Sequence, residues 1–373
     1  KNAYAYFGRR PTIEDSTQYI TADQIVFDKN TGLGRAQGNF VYIDTLQGIT
    51  LHADNSDFNR DTKVVLATGR PLMIIKQESD SIYVTGDSLY SGVRADTIYA
   101  VDSTRMIPDS LNEQVVIQPP ADTTKNPAPV AQSPVKEKIR KDRLPNLDTS
   151  VKDLADSLHM KTLVETIPQL EQSADSVQAR TIDRIDSVRF FQAFHHVRIF
   201  SDSMQSICDS MYFSGRDSVF RLFQNPIVWA KDSQLTGDTI YLYTKNKKPH
   251  HIEVLENAFS ISRSNDSFYN QLKGNTINGF FKDGDIEHVV AKGSAESLYY
   301  LQDDDSAYTG ANYAEADLIT LYFQKKAIDK ITWEFQVKGG FYPVSEVPDD
   351  KRRFRNFRWE EAKRPKSREE LLE

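Results

Sequence analysis

Short apolar runs fill two stretches of the chain, from about residue 19 to 118 and from about residue 187 to 345. The runs are rich in β-branched and aromatic residues, and clusters of Gly, Asn and Asp separate them. They recur at intervals of about 8–12 residues, the spacing typical of all-β domains. The pattern therefore predicts an all-β fold built from many short strands.

One strand-turn unit recurs in both stretches with the same internal spacing. Asp54 and Pro71 mark the first copy, Asp209 and Pro226 mark the second, and the two members of each pair are 17 positions apart. Repeats of this kind bury their apolar faces by stacking on their neighbours. We therefore expect the function to belong to a long stacked surface rather than to a single pocket.

Two smaller signatures lie inside these units. An Ala-x-Gly-x sequence occurs at Ala36–Asn39, Ala67–Arg70 and Ala291–Ser294, where it predicts a tight bend as a strand passes into another layer. Aspartates also open many of the strands, and we expect them at turns, where their side chains accept hydrogen bonds from nearby backbone N–H groups. These aspartates are Asp23, Asp54, Asp87, Asp96, Asp209 and Asp238.

The composition changes between the two β-rich stretches. Residues 119–186 contain seven of the 15 prolines, no aromatic residue and many charges of both signs, which predicts a linker with short, weak helices. We therefore expect a first β block at 1–118, the linker, a second β block at 187–345 and a tail at 346–373. The tail is basic and aromatic.

Composition excludes several classes of protein. The chain is 39% hydrophobic and 11% aromatic, enough for a core, and no apolar run approaches the roughly 20 residues of a membrane-spanning helix. A net charge of −7 argues against a nucleic-acid partner. The single cysteine, Cys208, excludes an internal disulfide, and its strand context predicts a buried structural thiol.

No arrangement of residues predicts catalysis, a metal or a cofactor. The recurrence of the aspartates in each unit favours turn positions over paired catalytic carboxylates, and Asp303-Asp304-Asp305 is typical of a solvated hairpin tip. His195-His196 and His250-His251 are adjacent pairs, and neighbours in a strand point to opposite faces. We therefore expect a protein that is not an enzyme and that holds no metal.

Three passages in the first block resemble the core motif of the OstA-like family, in the family's usual order. They are Thr21–Phe27, Gly34–Tyr42 and Leu51–Asp54. The family includes the lipopolysaccharide-transport protein LptA, the N-terminal domain of LptD and the LptC module. The resemblance covers residues 19–118 clearly and 190–335 more loosely. The long insertion and the tail are similar to the longer OstA-like proteins of Bacteroidetes-type bacteria.

The resemblance implies an elongated, twisted β-jellyroll whose two sheets face each other as an open V-shaped sandwich. It also implies a non-enzymatic, periplasmic, outer-membrane-associated bridge that carries lipopolysaccharide or lipid A toward the outer membrane. An open V leaves an apolar groove, where each buried CH₂ of an acyl chain contributes about 0.8 kcal/mol. Free strand edges would pair with other Lpt-type jellyroll proteins, or with copies of this chain end to end.

Strand alternation suggests which side chains line such a groove, although several strands are apolar on both faces. The candidates in the two blocks are Ile25, Phe27, Val41, Ile43, Leu51, Phe58, Leu72, Ile74, Leu89, Ile98, Met211, Ile227, Trp229, Ile240 and Leu242. The candidates for contact with a phosphate or an acidic partner are the tail residues Arg352, Arg353, Arg355 and Arg358.

Two other functions stay open at this point. A structural or scaffolding β-protein of the cell envelope would have a closed, filled core. A β-solenoid enzyme acting on polysaccharide would need regular coils and acids clustered on one face, and the irregular strand spacing disfavours it. The sequence also leaves open whether the two β blocks form one continuous groove.

Overall fold

The structure is a computed structural model that describes residues 4–15, 17–76, 80–99, 182–245, 248–303, 305, 307–324 and 327–372. The side chains of residues 4, 95–99 and 182–186 lie outside this description, as do residues 119–181 of the predicted linker, whereas its last residues, 182–186, belong to a strand. The chain divides into two compact units. The first comprises Lys1–Ile98 and Arg184–Glu373 and contains nearly all of the described residues, and the second is Tyr99–Asp183.

The described residues are almost entirely β-structure, as the sequence predicts. The strands are β1 Tyr4–Gly8, β2 Thr12–Asp15, β3 Gln18–Thr21, β4 Gln24–Asp28, β5 Leu33–Asp44, β6 Ile49–Asn59, β7 Val64–Thr68, β8 Leu72–Lys76, β9 Ser81–Thr85, β10 Ser88–Tyr99, β11 Ile182–Phe200, β12 Gln205–Ser214, β13 Val219–Phe223, β14 Ile227–Ala230, β15 Ser233–Thr236, β16 Thr239–Lys245, β17 Lys248–Arg263, β18 Tyr269–Lys282, β19 Asp285–Gln302, β20 Tyr308–Gln324, β21 Ala327–Glu334 and β22 Lys338–Pro343.

Long strands change partners halfway along their length, and this folds the structure into two layers. In β6, Asn55–Asn59 pairs with β7 while Ile49–His52 pairs with β8. In β12, Ser210–Ser214 pairs with β13 while Gln205–Ile207 pairs with β14. All the described pairings are antiparallel. The short strands therefore alternate between two layers that the long strands connect.

Each layer follows the chain from one end to the other. Layer 1 contains β1-β4-β5-β6-β7-β10, then β11-β12-β13-β16-β17-β18-β19-β20-β21. Layer 2 runs β2-β3-β5-β6-β8-β9-β11-β12-β14-β15-β17-β18-β19-β20-β22. The pairing of β9 with β11 joins the first block to the second, so layer 2 continues through both blocks.

The bends between layers lie where the sequence predicts them. Gly38, Gly69 and Gly293 have φ values of 75°, 71° and 77°, and the β5–β6 and β19–β20 registers shift beside Gly38 and Gly293. Glycine adopts this left-handed conformation without the steric cost that a Cβ brings. The Ala-x-Gly-x prediction is confirmed. His195 and His196 make the same bend in β11 without a glycine, at φ 58° and 51°.

A single apolar cluster fills the space between the layers. It includes Ile25 and Phe58 of layer 1 and Phe40, Leu51 and Met73 of layer 2, and it continues into the second block. Strand alternation turns one parity of each strand toward this interior and the other parity toward an outer face. The two blocks therefore share one apolar interior.

The chain ends in a tail, Val344–Leu372, that lies on the outer face of layer 2. It contains the short helix α1 (Asp349–Arg352) and 3₁₀ turns at Val344–Glu346, Glu361–Lys363 and Glu369–Leu372. Val347 and Phe354 of the tail are buried in a second apolar cluster with strand residues such as Ile261. The tail is thus folded against the chain's own sheet.

Candidate functional site

Eight predicted groove residues lie in the buried cluster between the layers. Seven belong to layer 1 and Leu51 belongs to layer 2. They are Ile25, Phe27, Leu51, Phe58, Leu89, Met211, Ile240 and Leu242. Every layer 1 candidate with a described side chain therefore faces the interior, as strand alternation predicted.

In layer 2 the predicted parity is correct for Leu51 and wrong for the other candidates. Phe40, Tyr42 and Asp44 face the interior, so Val41 and Ile43, which alternate with them, lie half-buried on the opposite face. In β8, Met73 faces the interior, and Leu72 and Ile74 lie on the opposite face. The error has a physical cause: these strands are apolar on both faces, so alternation does not distinguish the two.

Ile227 and Trp229 are also wrongly predicted as groove residues. They are buried on the outer face of layer 2, because Val228 between them belongs to the interior cluster. The Trp229 indole N–H donates to Gln234 Oε1 at 3.3 Å, and Gln234 in turn binds the tail. The remaining candidate, Ile98, has a side chain outside the description.

The edge of the interior farthest from the bends, here called the mouth, carries a buried ion pair between the layers. Arg189 of layer 1 places Nε 3.0 Å from Asp44 Oδ2 of layer 2, and their side chains are only 6% and 2% exposed. Arg189 Nη1 also donates to Ser91 Oγ at 2.9 Å. Tyr42 donates to Asp44 at 3.3 Å, and its ring lies 5.8 Å below the guanidinium carbon.

This polar cluster is fully enclosed by the two layers. Burial raises the pKa of Tyr42, although the charge of Arg189 opposes that shift. The hydroxyl therefore stays protonated and keeps donating to Asp44. The cluster closes the mouth where the first block meets the second, because Asp44 belongs to β5 and Arg189 to β11.

A small, partly open pocket shares Tyr42 with this cluster, although neither Asp44 nor Arg189 lines it. Its apolar lining includes Ile13, Ile20, Phe58 and Val65, and Tyr42 also belongs to its wall. The more polar lining residues are Asp15, Gln18, Asn59, Arg60 and Lys63. The pocket thus combines apolar side chains with two cations, Arg60 and Lys63, and one acid, Asp15.

The aspartates that open the strands lie at the bends. The backbone N–H of Asp23 donates to the Gly38 carbonyl at 2.8 Å, and its carboxylate accepts from Asn39 Nδ2 at 2.8 Å. Asp54 does the same with Gly69 and Arg70. Their carboxylates therefore accept from side chains at a neighbouring bend, Asn39 and Arg70, where we expected nearby backbone N–H groups as the donors.

Three further aspartates make the equivalent side-chain contact. The contacts are Asp87 with His196, Asp209 with His195 and Asp238 with Asn257. The two adjacent histidines thus contact different aspartates, although both lie in the left-handed bend of β11 and not in regular strand. The side chain of Asp96 lies outside the description, and the described residues contain no group of three or more His, Cys, Asp or Glu suited to hold a metal ion.

Two other chemical predictions are confirmed. Cys208 is buried, and burial raises the pKa of its thiol to about 12, so it is a structural thiol. The Asp303 carboxylate accepts hydrogen bonds from the backbone N–H groups of Asp305 and Ala307 at 3.1 and 2.8 Å, which is a turn role.

Buried glutamines bind the tail to the outer face of layer 2. Gln271 Nε2 donates to the Arg352 carbonyl at 2.8 Å, and its Oε1 accepts from the Phe354 N–H at 2.9 Å. Six residues further along the tail, Gln234 Nε2 donates to the Arg358 carbonyl and Gln234 Oε1 accepts from the Glu360 N–H, both at 2.7 Å. Sequence reasoning missed this interaction.

The tail arginines proposed as phosphate or partner contacts have different surroundings. Arg352 donates to the carbonyls of Val347 and Ser345, so it is engaged within the tail. The Arg353 guanidinium lies over the Phe357 ring, with its carbon 5.1 Å from the centroid. Arg355 and Arg358 are exposed, and they are the members of the set best placed to meet another molecule.

The fold and interior define an all-β, two-layered jellyroll-like protein. No family model matches the sequence, and a comparison with curated proteins gave no match. Among the described residues, no helix has both the length and the apolar character needed to cross a membrane.

Proposed function

We propose that this protein is a non-enzymatic carrier that holds the acyl chains of lipopolysaccharide or lipid A between its two layers. The observation that carries the proposal is the apolar interior shared by both blocks. Its large buried side chains include Ile25, Phe40, Met73, Met211 and Ile240, from strands along much of the chain. Acyl chains that replaced contacts between the layers would stay out of water, while head groups would project at the mouth.

The proposed setting is the periplasm, in association with the outer membrane. Layer 1 begins with β1, which pairs with β4, and ends with β21, which pairs with β20. Tyr6 of β1 and Phe341 of β22 are exposed. Edges of this kind accept another strand, so copies of this chain or other jellyroll transport proteins are the proposed partners.

A second candidate function is supported by the packing of the interior. The inward-facing residues are almost fully buried, and the Arg189–Asp44 pair closes part of the mouth. A filled core is what a scaffolding β-protein of the cell envelope would have. Carriage requires the layers to separate, whereas scaffolding does not.

Photo-crosslinking with matched inward and outward neighbours distinguishes the two functions. A photoreactive residue at Phe27 or Ile240 faces the interior, while the controls at Val26 and Tyr241 face outward on the same strands. Carriage predicts lipopolysaccharide adducts in cells at the inward member of each pair. Equal yields within each pair, or no adducts from folded protein in the envelope, would favour the scaffold.

A further inference from the structure

We propose that Arg189 binds the anionic group of an amphiphile held between the layers, and that Asp44 occupies this position when no ligand is bound. The inference rests on the proposed function and specifies which class of amphiphile the mouth selects. The class is a long-chain molecule with a phosphate or similar oxyanion at its head. The observations that carry the inference are the buried cross-layer pair and the pocket beside it.

The ion pair is hard to explain by stability alone. Asp44 and Arg189 are both more than nine-tenths buried, and with Ser91 and Tyr42 they form a polar cluster beside a largely apolar interior. Desolvation of two charges offsets most of their attraction, and well-packed apolar residues of similar volume stabilise a core as well or better. Buried pairs of this kind suit a switch, in which one partner is exchanged for another.

Arg189 is already arranged to bind an oxyanion. Its Nε bonds Asp44 and its Nη1 bonds Ser91, so the guanidinium is fixed with two donors on polar partners. A phosphate oxygen has the same charge and acceptor character as the Asp44 carboxylate and can accept from the same planar fork. Exchange would therefore keep Arg189 paired, and the displaced Asp44 carboxylate would turn toward solvent or take up a proton.

The adjoining pocket gives an amphiphile a route to this position. Tyr42 forms part of the pocket wall and also contacts both members of the ion pair. Arg60 and Lys63 are the cations of the lining, and Asp15 is the acid, while Arg60 is also paired with Asp61 at 3.3 Å. With Asp15 and Asp61 beside them, these cations give the pocket no net charge, so the selectivity for an anionic head group rests on Arg189.

The test compares the binding of two amphiphiles of equal chain length, dodecyl phosphate and neutral dodecyl glucoside, by calorimetry below their micelle concentrations. Wild-type protein should bind the phosphate more tightly. Asp44→Asn removes the competing carboxylate and should tighten phosphate binding. Arg189→Met should weaken it by about tenfold or more, the effect of one charge-assisted hydrogen bond. Neither change should alter glucoside binding more than about threefold.

Two variants protect the test against misfolding. The double variant Asp44→Leu with Arg189→Met replaces the pair by apolar residues, so it leaves no buried charge alone. It should bind the glucoside normally and lose the preference for phosphate. Arg221→Met, which removes an arginine paired with Asp217 on the outer face of layer 1, is the matched control and should keep that preference.

Several outcomes would overturn the inference. Phosphate preference that survives in the folded double variant would show that Arg189 is not the anion site. Equal weakening of both amphiphiles by Asp44→Asn and Arg189→Met would assign the pair a purely structural role. Tight binding of inorganic phosphate alone would contradict an amphiphile ligand. Equal binding of both amphiphiles to wild type would refute the inference and leave carriage standing, whereas binding of neither would refute both.

Discussion

Replacement of Gln271 by leucine should release the tail from the outer face of layer 2. The buried amide makes two hydrogen bonds to tail main-chain groups, with the Arg352 carbonyl and the Phe354 N–H. Leucine keeps the volume but leaves both groups without this partner. At about 1 kcal/mol of net stability for each bond, the tail contact should weaken by about 2 kcal/mol.

Limited trypsin digestion measures this release directly, because residues 351–368 contain nine Lys or Arg. Gln271→Leu should increase tail cleavage by roughly 30-fold, the factor that corresponds to about 2 kcal/mol. Adding Gln234→Leu should increase cleavage by less than the product of the two single effects, since one released tail loses both contacts.

The control is Gln24→Leu, which changes an exposed glutamine in β4. It should leave tail cleavage unchanged. Tail cleavage in Gln271→Leu no faster than in this control would refute the reasoning, because the paired hydrogen bonds would then contribute nothing to tail docking.

Three further predictions concern the bends, the thiol and strand parity. Gly38→Ala should lower the free energy of unfolding by about 1–3 kcal/mol in urea titrations, because φ is 75° and the new Cβ would lie 2.5 Å from a carboxylate oxygen; Gly8→Ala, which meets nothing within 4 Å, is the control. The Cys208 thiol should resist alkylation at pH 8 until urea unfolds the protein, since its pKa of about 12 keeps it neutral, and fast labelling of native protein would contradict this. Its raised pKa also predicts a stability contribution that is full below about pH 8.5 and declines as pH rises toward 12. Phe40→Ala should cost about 3–5 kcal/mol, and Val41→Ala clearly less, in the same titrations; equal costs would contradict the assigned parity.

Local patterns were sufficient to predict the all-β fold and the glycine bends. They also gave the inward parity of layer 1, where outward positions such as Arg35 and Arg221 are polar. Layer 2 lacks this contrast. Trp229 is fully buried like the interior residues, yet it lies on the outer face of layer 2, where Gln234 links its indole N–H to the tail.

The contacts that the sequence did not reveal join residues far apart in the chain. When five strands pair, one row of register partners crosses the sheet. The row contains, in order, Gln205, Trp229, Gln234, Ile261 and Gln271. Three isolated glutamines in separate strands carry no local signal for such a row. A charged residue in an apolar strand can be recognised from the sequence, but the residue that it pairs with is determined by the tertiary structure.

The central claim is that acyl chains enter between the layers, and the distance across the mouth tests it most directly. Spin labels on cysteines at Gln18 of layer 2 and Lys63 beside layer 1 would report this distance by electron–electron double resonance, since the native thiol is buried. Facing sheets pack about 10 Å apart with side chains alone between them. Bound lipopolysaccharide should therefore increase the distance, and its polysaccharide freed of acyl chains should not. An unchanged distance with lipopolysaccharide bound would contradict the claim.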